Sequence, residues 1–222
     1  LKAKGDILSH PGGLDLDIDA AIEDCPIGEL MKEFRDNVEF FKKIDTDARL
    51  SLDAHAEGTI AEDKMPAVNA KLLIPLSTVD IEGVGRKGRL SLDADVVTDK
   101  SMVIDATVHR LLADIAGARI DASATGKDLT GEDPDLTLDG SFRARLDSIS
   151  RAFLDGINGE GVINGEVHGK ARLSQITRLS NLGKANLEAD ISGRNITVDI
   201  PADTIHAFIN SIALNAGTRS NK

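Results

Sequence analysis

The sequence predicts a mainly β protein: a long, curved antiparallel sheet of repeated strands, groove-like in architecture, with three or four short amphipathic helices. Three observations carry this. Four segments repeat almost the same residues, Leu14-Asp-Leu-Asp-Ile18, Leu50-Ser-Leu-Asp-Ala54, Leu90-Ser-Leu-Asp-Ala94 and Leu136-Thr-Leu-Asp-Gly140. Their starts lie about 36, 40 and 46 residues apart, the kind of period at which one supersecondary unit recurs in repeat architectures. Each segment also alternates apolar with polar residues, which puts its leucines on one face of a strand and its Asp, Ser or Thr on the other. Such a strand cannot bury its apolar side alone, so successive units are expected to join edge to edge around one shared apolar surface.

Taken in order, strand-like alternation runs through Leu14 to Ile22, Leu50 to Ile60, Val68 to Leu76, Leu90 to Val96, Met102 to Val108, Ile120 to Ala124, Leu136 to Ala144, Gly161 to Ala171 and Ala185 to Ile191. It resumes at Ile196, Val198 and Ile200, and again at Ile212, Leu214 and Ala216. Turn signals such as Pro11-Gly-Gly13, Glu82-Gly-Val-Gly85 and Gly131-Glu-Asp-Pro134 separate the runs, so they read as a meander. Four segments switch to a period near 3.6. Leu30, Met31, Phe34, Val38 and Phe41 follow Pro26 and make one stripe. Leu146, Ile149 and Phe153 make a second, with Asp147 or Ser148 to cap it and Gly156 to end it. Leu173, Ile176 and Leu179 make a third, and Ile205, Phe208 and Ile209 a short fourth. The whole chain, residues 1–222, reads as a single elongated module with sub-units 1–45, 46–145 and 146–222. It opens inside a strand-like pattern at Leu1-Lys-Ala-Lys-Gly-Asp6, which reads as a piece of something longer, with any membrane anchor or export signal expected outside it.

Composition narrows the function. A net charge of −11 argues against nucleic acid, because phosphate binding needs clustered Lys and Arg to displace counterions. No apolar run approaches the roughly 18 residues of a membrane-spanning helix. Trp and Tyr are absent and Phe occurs 6 times, so the apolar inventory is Leu, Ile, Val and Ala, poor material for sugar stacking or an aromatic hot spot. Cys25 is the single cysteine and can form no internal disulfide.

Motifs of chemistry fail on their context. Gly83-Val-Gly-Arg-Lys-Gly88 has the glycine spacing of a dinucleotide turn, but a strand, Arg89-Leu-Ser-Leu-Asp93, follows it where a helix is required. Asp15, Asp17 and Asp19 resemble the start of a calcium loop, yet Ala20 stands where the sharp turn needs Gly, and Pro26 stands where a bidentate Glu is needed. His10, His55, His109, His168 and His206 are scattered without metal-ligand spacing. No serine sits in a Gly-x-Ser-x-Gly elbow. The expectation is therefore a non-enzymatic protein with no catalytic residue, no metal and no cofactor.

The stretch from Leu136 to Gly217 contains an alternating strand, a short amphipathic helix, Gly159-Glu-Gly-Val-Ile-Asn-Gly-Glu-Val-His-Gly169, a second amphipathic segment and Ala185-Asn-Leu-Glu-Ala-Asp-Ile-Ser-Gly-Arg-Asn-Ile-Thr-Val-Asp-Ile-Pro201. It resembles the C-terminal region of AsmA-like envelope proteins, the broad family that includes TamB-like proteins, in versions of the Bacteroides type. The Leu-x-Leu-Asp units extend a weaker likeness over most of the chain. The resemblance implies a periplasmic protein anchored to the inner membrane of a Gram-negative cell. Its curved β-groove would serve outer-membrane biogenesis and phospholipid transfer, with acyl chains and outer-membrane assembly proteins as partners.

The residues expected to point into the shared apolar interior are Leu14, Leu16, Leu50, Leu52, Leu90, Leu92, Leu136 and Leu138. An interior lined by small aliphatic side chains would hold an acyl chain weakly and let it slide. The competing expectation is a structural or adhesive β-repeat protein of the cell envelope, in which the same leucines are sealed inside a packed core.

Overall fold

The computed structural model describes residues 1–33, 43–62, 64–82, 86–153, 156–177, 179–203 and 205–217. Twelve strands form one antiparallel sheet: β1 (Lys2–His10), β2 (Gly13–Pro26), β3 (Ile44–Thr46), β4 (Arg49–Ile60), β5 (Ala67–Ile81), β6 (Gly88–Thr98), β7 (Ile104–Ile115), β8 (Ala118–Lys127), β9 (Asp135–Arg145), β10 (Asn158–Arg172), β11 (Asn186–Ile200) and β12 (Ile205–Gly217). The path is β1-β2-β4 and then strictly sequential to β12, with β3 beside the far end of β5. Strands β1 and β12 do not meet, so the sheet is curved and open, as the alternation implied.

Hairpin chemistry explains the meander. Between β7 and β8 the turn is only Ala116-Gly117, both with positive φ (50° and 82°), the two-residue geometry that matches the twist of the flanking strands. Between β1 and β2 it is Pro11-Gly12, where the imidazole Nδ1 of His10 accepts a hydrogen bond from the Gly12 N–H at 3.1 Å.

Three short helices join strands at their ends: α1 (Ile27–Glu33), α2 (Leu146–Phe153) and α3 (Leu173–Ile176). Helix α2 packs chiefly on β10 and β9, α1 on β3, and α3 on the 3₁₀ turn Leu179–Lys184 that follows it and, less, on β10, so each lies beside strands it helps to connect. The start of α3 is pinned by Asp133, whose carboxylate accepts from the Ser174 N–H (2.8 Å) and hydroxyl (2.9 Å). Those bonds hold the Asp133 pKa below the usual carboxylate value.

Several expectations need correction. The fourth helix does not form: Ile205, Phe208 and Ile209 lie in β12, and only Pro201–Asp203 makes a single 3₁₀ turn. Pairing with the fifteen-residue β11 outweighs the local helical spacing. The third helix ends at Ile176, and Leu179 opens a separate 3₁₀ turn, Leu179–Lys184. In the first stripe, Phe34, Val38 and Phe41 lie outside the described residues, as do Gly83 and Gly85 of the glycine-rich turn. Met102 is in a turn with φ 62°, and its strand begins two residues later.

Burial is uneven. The accessible surface is 14955 Å², against roughly 9,800 Å² expected from the scaling of compact monomers of this mass. Most of the well-buried residues gather at the end of the sheet that carries α1, α2 and the Ala116-Gly117 turn: Ala48, Ser77, Val79, Ile81, Leu112, Asp114, Ala116, Ser150 and Ile196. A line of bulges marks the approach to that end. Extra residues at Glu23-Asp24 in β2, Pro75-Leu76 in β5 and His109 in β7 fall on, or within three residues of, the lateral row Ser51, Leu73, Asp93, Arg110. A bulge bends its strand and sharpens the local twist. Asp24 and Asn195, each at a bulge, adopt left-handed backbone (φ 59° and 50°), which Asp and Asn tolerate better than other side chains.

Candidate functional site

Strand register decides which side chains share a face, because residues directly opposite one another in a ladder point the same way. Following the pairs from Ile22 gives one lateral row: Leu52, Leu72, Ala94, Val108, Ala124, Leu138, Gly169, Leu187. The next row runs Ala3, Ala20, Ala54, Ala70, Val96, Ala106, Gly126, Leu136, Ala171. Neither row contains a polar residue. All eight leucines singled out in the sequence fall on this face: Leu14 and Leu16 beside Ile60 and Gly58, Leu50 beside Cys25, Leu52 between Ile22 and Leu72. Leu90 lies beside Ala113, Leu92 between Ile74 and Leu111, Leu136 between Gly126 and Ala171, and Leu138 between Ala124 and Gly169. They are half-buried, except Leu14, which is exposed.

Nothing among the described elements forms a second layer over this face. The substantial contacts are between strands that neighbour each other in the sheet and between helices or turns and adjoining segments. A sandwich or a barrel would show contacts across an interior. Glycines keep the apolar surface shallow: the Phe142 ring lies over Gly165 on the neighbouring strand and fills the space that a Cβ there would need.

The opposite face is polar and organised by histidine. Every one of the 5 His side chains stands near an Asp: His10 Nε2 and Asp15 at 3.3 Å, His55 Nδ1 and Asp19 at 2.9 Å, His109 Nε2 and Asp95 at 2.7 Å, His168 Nδ1 and Asp139 at 2.9 Å, His206 Nδ1 and Asp199 at 3.6 Å. Hydrogen bonds that the protonated rings donate to Asp19, Asp95 and Asp139 raise the pKa of His55, His109 and His168 above the usual histidine value, against a smaller opposing effect of desolvation. These are pairs on one wet surface, and the described residues contain no cluster of three or more metal-ligating groups.

Sequence reasoning missed the relief of this polar face. A hollow of about 720 Å³ lies on it from β1 to β6. Its floor is the backbone of Ala20, Ala54 and Ala70, and its walls include Lys2, Lys4, Asp53, His55 and Lys71. A second hollow of about 510 Å³ lies on the same face from β8 to β12, between Arg119, Arg143, Asn164, Glu166 and Asp190. In both, polar side chains stand on either side of a row whose own side chains turn to the other face, and only strand register reveals which rows are adjacent. Among the described residues the apolar face is thus a continuous surface, and these two hollows belong to the polar one.

This geometry defines a class: a mainly β protein built on one open antiparallel sheet with an apolar and a polar face. Comparison with family models, with curated proteins and with solved structures finds no match. No helix among the described residues is long and apolar enough to cross a membrane.

Proposed function

We propose that this chain is a non-enzymatic β-groove module that carries phospholipid acyl chains along its apolar face, as part of outer-membrane biogenesis in the periplasm of a Gram-negative envelope. The cellular setting, an inner-membrane anchor and outer-membrane assembly partners all come from the resemblance to AsmA-like proteins. One observation carries the lipid reading: two adjacent rows of aliphatic side chains and glycines cross at least nine strands without a polar interruption and, among the described residues, without a second layer. Apolar area removed from water is worth about 25 cal/mol per Å², so sheathing a few hundred Å² of acyl chain stabilises the complex by several kcal/mol. The two rows carry no aromatic side chain that would clamp one lipid, which suits passage more than storage.

The test is native mass spectrometry of protein purified from cells, with lipid extraction in parallel. Co-purifying phospholipid is expected, and its transfer to a photocrosslinker placed at Ala70 or Val96 locates it on the apolar face. Leu52→Glu and Leu92→Glu should abolish that crosslink while strand content by circular dichroism is retained. Protein free of lipid, or crosslinks confined to the polar face, would leave the structural spacer as the better reading.

A further inference from the structure

The two edges of the sheet differ in a way that assigns one of them a partner. Edge strands are normally protected from pairing by charged side chains, prolines or short length. Strand β1 has such protection: Lys2, Lys4 and Asp6 are spread along it, and the Lys2 ammonium meets Glu23 at 2.8 Å. Strand β12 has none. It is 13 residues long, and no Asp, Glu, Lys, Arg or Pro occurs between Asp203 and Arg219. Phe208 is 65% exposed and Leu214 52%, and Ile205, Ile209 and Ile212 are also exposed. In a chain of net charge −11, this is the one long stretch where a second copy would meet no like charge.

We propose that β12 pairs with β12 of a second copy of this chain, antiparallel, about a two-fold axis perpendicular to the sheet. The register follows from side-chain faces. Ile209 lies beside Ile196 and Ile212 beside Gly193, and a Cβ built on Gly193 would touch the Ile196 side chain, so both isoleucines belong to the apolar face. Phe208 and Ala213 lie beside Thr197 and Ser192 on the polar face. One antiparallel alignment matches all of these: Ile209 opposite the second copy's Ile212, Ala207 opposite its Leu214, and Phe208 opposite its Ala213. The alignment is self-complementary, as a two-fold interface must be, and it centres between Asn210 and Ser211. Because the axis is perpendicular to the sheet, the apolar faces of both copies fall on the same side and become one surface. This inference stands on the edge strand and is independent of whether lipid occupies the face.

Sedimentation equilibrium of the whole chain tests it. A dimer in reversible exchange with monomer is expected, and Ile212→Lys should raise its dissociation constant at least tenfold, while Leu8→Lys on β1 leaves it unchanged. A second measurement does not depend on how the Lys variant folds. In a Cys25→Ser background, nitroxide labels at Ser211→Cys should report a short distance between copies by pulsed electron resonance, and labels at Ser9→Cys none. A monomer at high concentration, a dimer broken by Leu8→Lys, or no short distance at position 211 would each overturn the proposal.

Discussion

The end of the sheet beyond the bulges and the open span before them are made from the same strands, yet only the first has a core. On β5, Ser77, Val79 and Ile81 are all buried, whereas Leu72 and Ile74, a few residues earlier on the same face of the same strand, are only half-buried. The difference lies in what covers them. Beyond the bulge β5 has β3 beside it, where Thr46 pairs with Val79 and Ile44 with Ile81. The same end carries a carboxylate, Asp114, shielded by Arg86 at 3.0 Å and Arg89 at 3.4 Å. Among the described residues, the open span has backbone ladders and one apolar surface, with no element packed over it. A strand's pattern therefore states which side chains face inward, while the bend and the neighbour decide whether an inside exists there.

Substitutions should separate the two regions. The largest effect is expected from Val79→Asp, which places an unpaired charge where only 6% of the residue is exposed; a loss of about 3 kcal/mol or more, or failure to fold, should appear in urea denaturation. Ile196→Ala, also near the packed end, should cost about 2 to 4 kcal/mol by cavity formation, while Leu72→Ala in the open span costs about 1 kcal/mol, because less of its surface leaves water on folding. Equal costs would show that the open span is packed in solution. Gly169→Ala should cost on the order of 1 to 3 kcal/mol: Gly169 has φ 136°, and a Cβ there would collide with the Asn186 carbonyl.

The smallest effect is in pH. His55, His109 and His168 have raised pKa values in the folded state, so their pairs contribute fully below the ordinary value near 6.5 and lose that contribution as pH rises through the raised one. Asp15, Asp47 and Asp147 are held low, chiefly by hydrogen bonds from Thr59, Thr78 and Arg145, so their share is lost as pH falls through the lowered values. Thermal unfolding should therefore peak in mildly acidic buffer, and replacing Asp19, Asp95 and Asp139 together by Asn should flatten the decline on the alkaline side. An unchanged profile would mean that the three pairs do not persist in solution.

The sequence made the ladder legible because period-2 alternation leaves a signature wherever one face is apolar, and the eight leucines share the face that their spacing implied. It misled at Ile205, Phe208 and Ile209, where an i, i+3, i+4 pattern is equally produced by an apolar edge strand. Strand β3 is three residues long and leaves no periodicity to read. Bulges at Glu23-Asp24 and His109 have no local marker comparable to Pro75, so the packed end stayed invisible. The polar hollows depend on which rows become neighbours, which is a property of register and not of any one segment.

A sheet whose described residues form one layer, in which most strands lean chiefly on their flanking strands, has no central event whose loss collapses everything at once. Denaturation can begin at an outer ribbon and travel inward like a zip, stalling where the bends lock β3 and β5 together. The slowest amides to exchange with heavy water would then be found beside that lock, with protection fading toward both margins.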